Sequence, residues 1–119
     1  MSSILITGGA GFIGVNSAQH FASRGWQVTI ADNLSRRGTE DNLAWLQGRA
    51  NVAFHRVDVR DAAAIADVVR AVKPDLVLHL AAQVAVTTSV TNPREDFEIN
   101  ALGTFNVLEA VRLESPQSF

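Results

Sequence analysis

The sequence predicts an α/β fold: a parallel sheet with helices on both faces, its strands ordered 3-2-1-4. Three observations carry that prediction. Short apolar runs alternate with longer segments whose apolar residues recur at helical spacing. The first run, Ser3–Thr7, is continuous and rich in branched side chains, whereas a strand with one wet face would alternate apolar with polar. A glycine cluster joins the first run to the first helical segment, where such sheets make a tight turn. Helical crossovers between parallel strands are right-handed, which gives the doubly wound order.

Taken along the chain, Ser3–Thr7 is the first strand. Phe12–Arg24 is the first helix, with Phe12, Val15, Ala18 and Phe21/Ala22 as its apolar face and Gly25 ending it. Gln27–Ala31 is the second strand, closed by Asp32, and Asp32–Thr39 is a polar loop. Glu40–Gln47 reads as a short helix carrying Leu43 and Leu46, with Trp45 as a packing anchor. Val52–Val57 is the third strand. Asp61 caps a helix over Ala62–Val72, whose Ile65, Val68/Val69 and Val72 form the buried stripe. Pro74 closes that helix and Leu76–Leu80 is the fourth strand. Ala81–Thr91 reads as a loop of small and hydroxyl residues. Asn92 caps the last helix, Pro93 takes its first position, and Glu95 sits where a capping-box carboxylate would. Phe97, Ala101, Phe105 and Leu108 mark its apolar face. Ser115-Pro116 ends it, and Gln117–Phe119 reads as the approach to a further strand.

The glycine cluster carries the chemistry. In Ile4–Gly14 (I-L-I-T-G-G-A-G-F-I-G), Gly9, Gly11 and Gly14 fit G-x-G-x-x-G, and Gly8, Gly11 and Gly14 fit the looser G-x-x-G-x-x-G. Such glycines allow a tight turn, a close approach to a pyrophosphate, and close packing of helix on strand. Phosphates then lie over the helix N-terminus, where unpaired N–H groups and the positive dipole end favour an anion. Asp32 ends the next strand at about the twenty-residue distance expected of a ribose-binding carboxylate. Its charge would repel a 2′-phosphate, which favours NAD over NADP; Arg36 and Arg37 in the same loop keep NADP in contention.

Asp58 ends the third strand beside the expected adenine. Its carboxylate is placed to take the exocyclic amine and the Val59 backbone to read the ring edge; Asp61 already serves helix entry. Leu80-Ala81-Ala82-Gln83 leaves the fourth strand with small side chains that let a flat cofactor reach the backbone. Thr87, Thr88 and Ser89 add a polar run. Asn100 either bridges this loop to the cofactor or faces solvent.

Composition excludes other classes. A net charge of −2 without a basic cluster leaves no electrostatic footprint for nucleic acid. No apolar stretch reaches membrane-spanning length and no leader precedes the first strand, so an unprocessed soluble protein is expected. The absence of cysteine rules out disulfides and thiolate metal sites and fits the cytoplasm. His20, His55 and His79 share no metal-ligand spacing, so no metal site is expected. The hydrolase elbow, the zinc-protease helix motif and the P-loop are all missing.

Thr7–Gly14 (T-G-G-A-G-F-I-G), Asp32–Ser35 (D-N-L-S), Asp58–Asp61 (D-V-R-D), His79–Gln83 (H-L-A-A-Q) and the run from Asn92 to Ala110 together resemble the extended short-chain dehydrogenase/reductases. These are the NAD-dependent epimerases and dehydratases of nucleotide sugars, and the resemblance spans the whole chain. Within them, Q-V-A-V-T-T-S-V and the segment after Asp32 most resemble the 2-epimerases. The resemblance implies a Rossmann-type domain in which Gly8, Gly11, Phe12 and Ile13 contact the pyrophosphate of NAD. It implies Asp32, Asn33, Ser35 and Arg36 at the adenosine ribose, and Asp58 and Val59 at the adenine. Leu80, Ala81, Ala82 and Gln83 would line the path to the nicotinamide, with Asn100 behind the cofactor and Thr87 near the sugar nucleotide.

The implied reaction removes a hydride from a sugar carbon to NAD and returns it to the other face. The family's base is a tyrosine tuned by a lysine four positions on. This sequence has no tyrosine, and its lysine, Lys73, sits in a helix-ending K-P-D. The expectation is therefore the amino-terminal part of an epimerase, truncated before strand 5 and inactive alone; the alternatives are a non-catalytic dinucleotide-binding or interaction module, or part of another nucleotide-sugar epimerase or dehydratase. Its fourth strand would be an unpaired edge open to self-association. The family's helical dimer interface makes Ile99 and Leu102 candidate contacts in a homo-oligomer.

Overall fold

The structure is a computed structural model that describes all 119 residues. Four parallel strands, β1 (Ser3–Thr7), β2 (Gln27–Asp32), β3 (Val52–Arg56) and β4 (Leu76–His79), lie in the order β3-β2-β1-β4. Between them run α1 (Phe12–Ala22), α2 (Thr39–Gln47) and α3 (Ala62–Val72). After β4 come α4 (Val86–Thr91), α5 (Pro93–Phe97), a π-turn (Glu98–Leu102) and α6 (Gly103–Glu114).

Register explains why β1, β2 and β4 carry apolar residues on both faces. Ile4 and Ile6 stand beside Val28 and Ile30 on one side and Leu76 and Leu78 on the other. This face packs with α1 and α2 into a core that includes Val15, Ala18, Leu43 and Leu46. Alternate residues Leu5, Ala31 and Val77 enter a second core with Ile65, Val68 and Val69 of α3 and Val107 and Ala110 of α6. Both faces being covered, neither tolerates an alternating pattern.

The Asp61 carboxylate accepts from Ala64 N–H at 3.1 Å, the expected cap, and Asn92 caps α5 through Glu95 N–H at 3.2 Å. Element ends shift slightly: α1 stops at Ala22, α2 begins at Thr39, β3 stops at Arg56 and β4 at His79.

Three expectations are corrected. Ala81–Thr91 is not all loop, because Val86–Thr91 closes one helical turn despite its branched residues. The apolar face expected for the last helix points outward: Phe97, Ala101, Phe105 and Leu108 are exposed, and Phe105 is 59% so. The buried face holds Gly103, Asn106, Val107 and Ala110 instead. Small residues win because the backbone comes so close; a methyl on Gly103 would lie 2.6 Å from Val59 Cγ2. Phe12 likewise leaves the core face of α1 and is 79% exposed; α1 packs through Gly14, Val15 and Ala18. Gln117–Phe119 does approach a strand: Phe119 donates to Asp75 O at 2.9 Å and accepts from Val77 N–H at 2.7 Å, beside β4.

Candidate dinucleotide site

The carboxyl ends of the strands open on one cleft of about 360 Å³, within the size range of ligand pockets. Order 3-2-1-4 puts the loops after β1 and β4 on opposite sides of the switch point, where the chain turns from building one side of the sheet to the other. Gly8, Gly11, Phe12, Ile13 and Gly14 line it from the glycine turn; Asp32, Asn33, Ser35 and Arg36 from the loop after β2. Asp58 and Val59 enter after β3, and Leu80, Ala81 and Ala82 after β4.

Gly8 has φ +68°, and a methyl there would lie 2.8 Å from the Ala81 nitrogen, so the β1 and β4 loops touch through this residue. At Gly14 a methyl would lie 2.6 Å from Gly9 Cα, so only glycine lets α1 begin this close under the turn. The helix starts without a side-chain cap. The N–H groups of Phe12, Ile13 and Gly14 donate to no acceptor in the chain, and Val59 N–H is also unpaired although Val59 is only 7% exposed. Unpaired donors on cleft-lining residues fit an anion over α1 and an acceptor at the β3 end.

The Asp32 carboxylate bridges the two loops. Oδ2 accepts from Ala10 N–H at 3.1 Å and Oδ1 from Leu34 N–H at 2.8 Å. The second bond closes an Asx turn that holds Leu34 at φ +59°. Two backbone bonds use about half of a carboxylate's lone pairs and leave the rest for hydroxyl donors. Arg36 lines the cleft while Arg37 does not, and neither pairs with an acid.

Asp58 is held by three groups. Arg60 grips it through Nε at 3.0 Å and Nη2 at 2.7 Å, Arg60 N–H adds 2.9 Å, and Asn33 Nδ2 reaches across from the β2 loop at 3.2 Å. The Arg60 guanidinium dominates and lowers the Asp58 pKa from 3.8 to about 2. Asn106 Nδ2 donates to Val59 O at 2.9 Å and fixes the backbone of the same loop.

Three predicted residues stand outside the lining. Gln83 folds its amide onto its own loop, with Oε1 accepting from Ala85 N–H and Nε2 donating to Ala85 O, each at 3.0 Å. Asn100 faces the loop, not solvent: Oδ1 accepts from Gln83 N–H at 2.8 Å and Nδ2 donates to Gln83 O at 2.9 Å. Thr87 is exposed in the first turn of α4.

Ala31, Thr39, Val57, Val84 and Ile99 line the cleft without having been singled out for it. Ala31 and Val57 lie at strand ends, a signal the sequence carried. Val84 and Ile99 are brought there only by the fold, and Ile99, read as a partner contact, packs against the second core. No group of His, Asp and Glu side chains is arranged to hold a metal. No helix is long and apolar enough to cross a membrane.

The chain is 49% identical over 109 residues to the CDP-paratose 2-epimerase of Salmonella typhi, covering 92% of this chain and 32% of the relative. It is 39% identical over 112 residues to a dTDP-glucose 4,6-dehydratase of Xanthomonas campestris, covering 94% and 32%. The Thermus thermophilus UDP-glucose 4-epimerase, solved in complex with NAD, matches with a TM-score of 0.80 and 42% identity over 92% of this chain and 33% of that one. This chain thus spans about a third of the length of such relatives. The GDP-mannose 4,6 dehydratase family matches the chain over residues 5–118. A glycine turn, a strand-end carboxylate and a parallel sheet in this order are therefore here by descent as well as by physics: the chain belongs to the GDP-mannose 4,6-dehydratase family of nucleotide-sugar epimerases and dehydratases.

Proposed function

We propose that these residues form the NAD-binding part of a nucleotide-sugar epimerase of the 2-epimerase type, and that they bind the cofactor without turning over a sugar. One observation carries this reading: the unpaired N–H groups at the start of α1 and the partly free Asp32 carboxylate line the same cleft. The first suits a diphosphate and the second a ribose diol.

Each end of the cofactor finds matching chemistry. Phe12, Ile13 and Gly14 offer donors to the diphosphate, with Gly8 and Gly11 leaving the approach open. Asn33, Ser35 and Arg36 flank the ribose beside Asp32. Val59 N–H offers the adenine a donor, and Asp58, whose lone pairs are taken by Arg60 and Asn33, accepts the exocyclic amine in place of the long Asn33 bond. Ala81 and Ala82 keep the β4 wall thin on the nicotinamide side, and Gln83 and Asn100 hold that wall from behind. Thr87, on α4 beyond it, is proposed to approach the sugar nucleotide.

NAD, when bound, supplies the acceptor and donor of the hydride. The sugar's hydroxyl proton needs a base, and this sequence holds no tyrosine to serve as one. The preference for a CDP-linked sugar rests on the similarity to the Salmonella typhi enzyme. Assembly is proposed to be a homo-oligomer, supported by the outward row Phe97, Leu102, Phe105 and Leu108.

Titration calorimetry with NAD and NADP tests the reading. NAD should bind saturably, NADP more weakly, and sugar turnover should be absent. Absence of heat with both dinucleotides overturns cofactor binding, and a preference for NADP overturns the role given to Asp32.

A further inference from the structure

A continuous hydrogen-bonded chain runs behind the cleft from β1 to α6 and back to the β4 loop. Thr7 and His79 are register partners on neighbouring strands, so their side chains stand on the same face of the sheet. Thr7 Oγ1 lies 2.6 Å from His79 Nδ1 and accepts from the N–H groups of Leu80 at 3.1 Å and Ala81 at 3.3 Å. His79 Nε2 lies 3.1 Å from Thr104 Oγ1. Thr104 in turn donates to the Asn100 carbonyl at 2.6 Å. Asn100 sits within the π-turn and clamps Gln83 on both its N–H and its carbonyl.

The directions follow from counting protons. The one hydroxyl proton of Thr104 is committed to Asn100, so Thr104 can only accept from His79, and Nε2 must carry the ring proton. Nδ1 is then an acceptor, and the Thr7 proton goes to it. Thr7 receives the two backbone donors of the β4 loop on its lone pairs. Every donor in the chain has an acceptor, and burial of His79 favours the neutral ring that this requires.

We propose that His79, held as its Nε2–H tautomer, and Thr104 are positioning residues for the cleft: they hold Asn100 of the π-turn against the β4 loop and so set the Ala81–Gln83 wall beside Gly8. Neither lines the cleft; both act through Thr7 and Asn100. The π-turn supplies the means. Gly103 N–H reaches back to Glu98 O, and the extra residue of that turn lies in the segment that carries Asn100. The Thr104 hydroxyl, bonded four residues back, ties the turn to β4. The link to cofactor affinity rests on the NAD reading above, whereas the tautomer and the clamp do not.

The test combines nitrogen NMR of the His79 ring, amide hydrogen exchange and NAD calorimetry on the wild type, Thr104→Val, Thr104→Ser and Asn100→Ala. The wild-type ring should show a protonated Nε2 and a bare Nδ1. In T104V the Gln83 amide should exchange about tenfold faster and NAD should bind about tenfold more weakly, while amides of β1 and β2 keep their protection. Thr104→Ser should restore both readouts, and N100A should reproduce the loss at Gln83. An Nδ1–H tautomer, unchanged Gln83 exchange in T104V, or a loss of protection spread evenly over the sheet would each overturn the proposal. If T104V does not fold, the wild-type tautomer and N100A decide. If the wild type binds no NAD, the cofactor reading falls, and the Gln83 exchange still decides this one.

Discussion

Asp32 does two jobs with one side chain. It ties the glycine turn to the β2 loop through Ala10 and Leu34 N–H, and its remaining lone pairs are what the NAD reading assigns to the ribose. Asp32→Ala should weaken NAD about ten- to hundredfold by calorimetry, as expected for losing bonds to a charged acceptor, and should narrow the gap between NAD and NADP. Asp58 gives a pH signature. Its folded pKa of about 2 lies below its ordinary 3.8, so its contribution to stability is complete above the ordinary value and is lost as pH falls towards 2. Arg60→Leu removes the group most responsible. A carboxyl titration followed by NMR should then find Asp58 shifted back up, with less of the acid-side loss of stability attributable to it.

At the scale of elements, close approach decides more than propensity does. α1 can start under the glycine turn only because Gly14 has no side chain, and Gly14→Ala should destabilise the fold by about 1–3 kcal/mol in urea unfolding. Losing the cap in Asp61→Ala should cost about 1 kcal/mol by the same measurement. Those two effects were legible in the sequence, since a glycine pattern and a capping residue act on immediate neighbours. The last helix was legible only in outline. Its large apolar residues, spaced every three or four positions, suggest a core-facing stripe. The stripe that is buried is instead Gly103, Asn106, Val107 and Ala110, because α6 approaches the Val59 loop too closely for anything larger at Gly103. Asn100 and Thr104 could be noted as polar residues on that helix. That Asn100 faces Gln83 depends on the path of the chain after β4.

For the whole molecule, the consequence of that inversion is an exposed apolar row: Phe97 and Leu102 before and within the π-turn, Phe105 and Leu108 on α6. The open side of β4, where Phe119 supplies only the first pairing, adds unpaired backbone groups next to half-buried residues. The proposed homo-oligomer should therefore appear in light scattering as a species heavier than a single chain. The double substitution Phe105→Glu and Leu108→Lys should shift it towards the monomer without lowering the folded signal by circular dichroism. A monodisperse wild-type monomer would refute this surface as a self-association site.

Local rules suffice for the parallel sheet, its strand order, the glycine turn and the loop carboxylates, because each rests on a short segment. Unbroken apolar runs demand two covered faces, and a turn onto a helix demands glycine where the backbone crowds. Most of the residues assigned to the cofactor line one cleft because those segments end at the same edge of the sheet. Tertiary structure alone decided which side of α6 is buried, that Ile99 and Val84 enter the cleft, and that His79 connects Thr7 to Thr104. These depend on distances between segments far apart in sequence, and such distances are set by how closely whole elements can pack, a quantity no single stretch of residues contains.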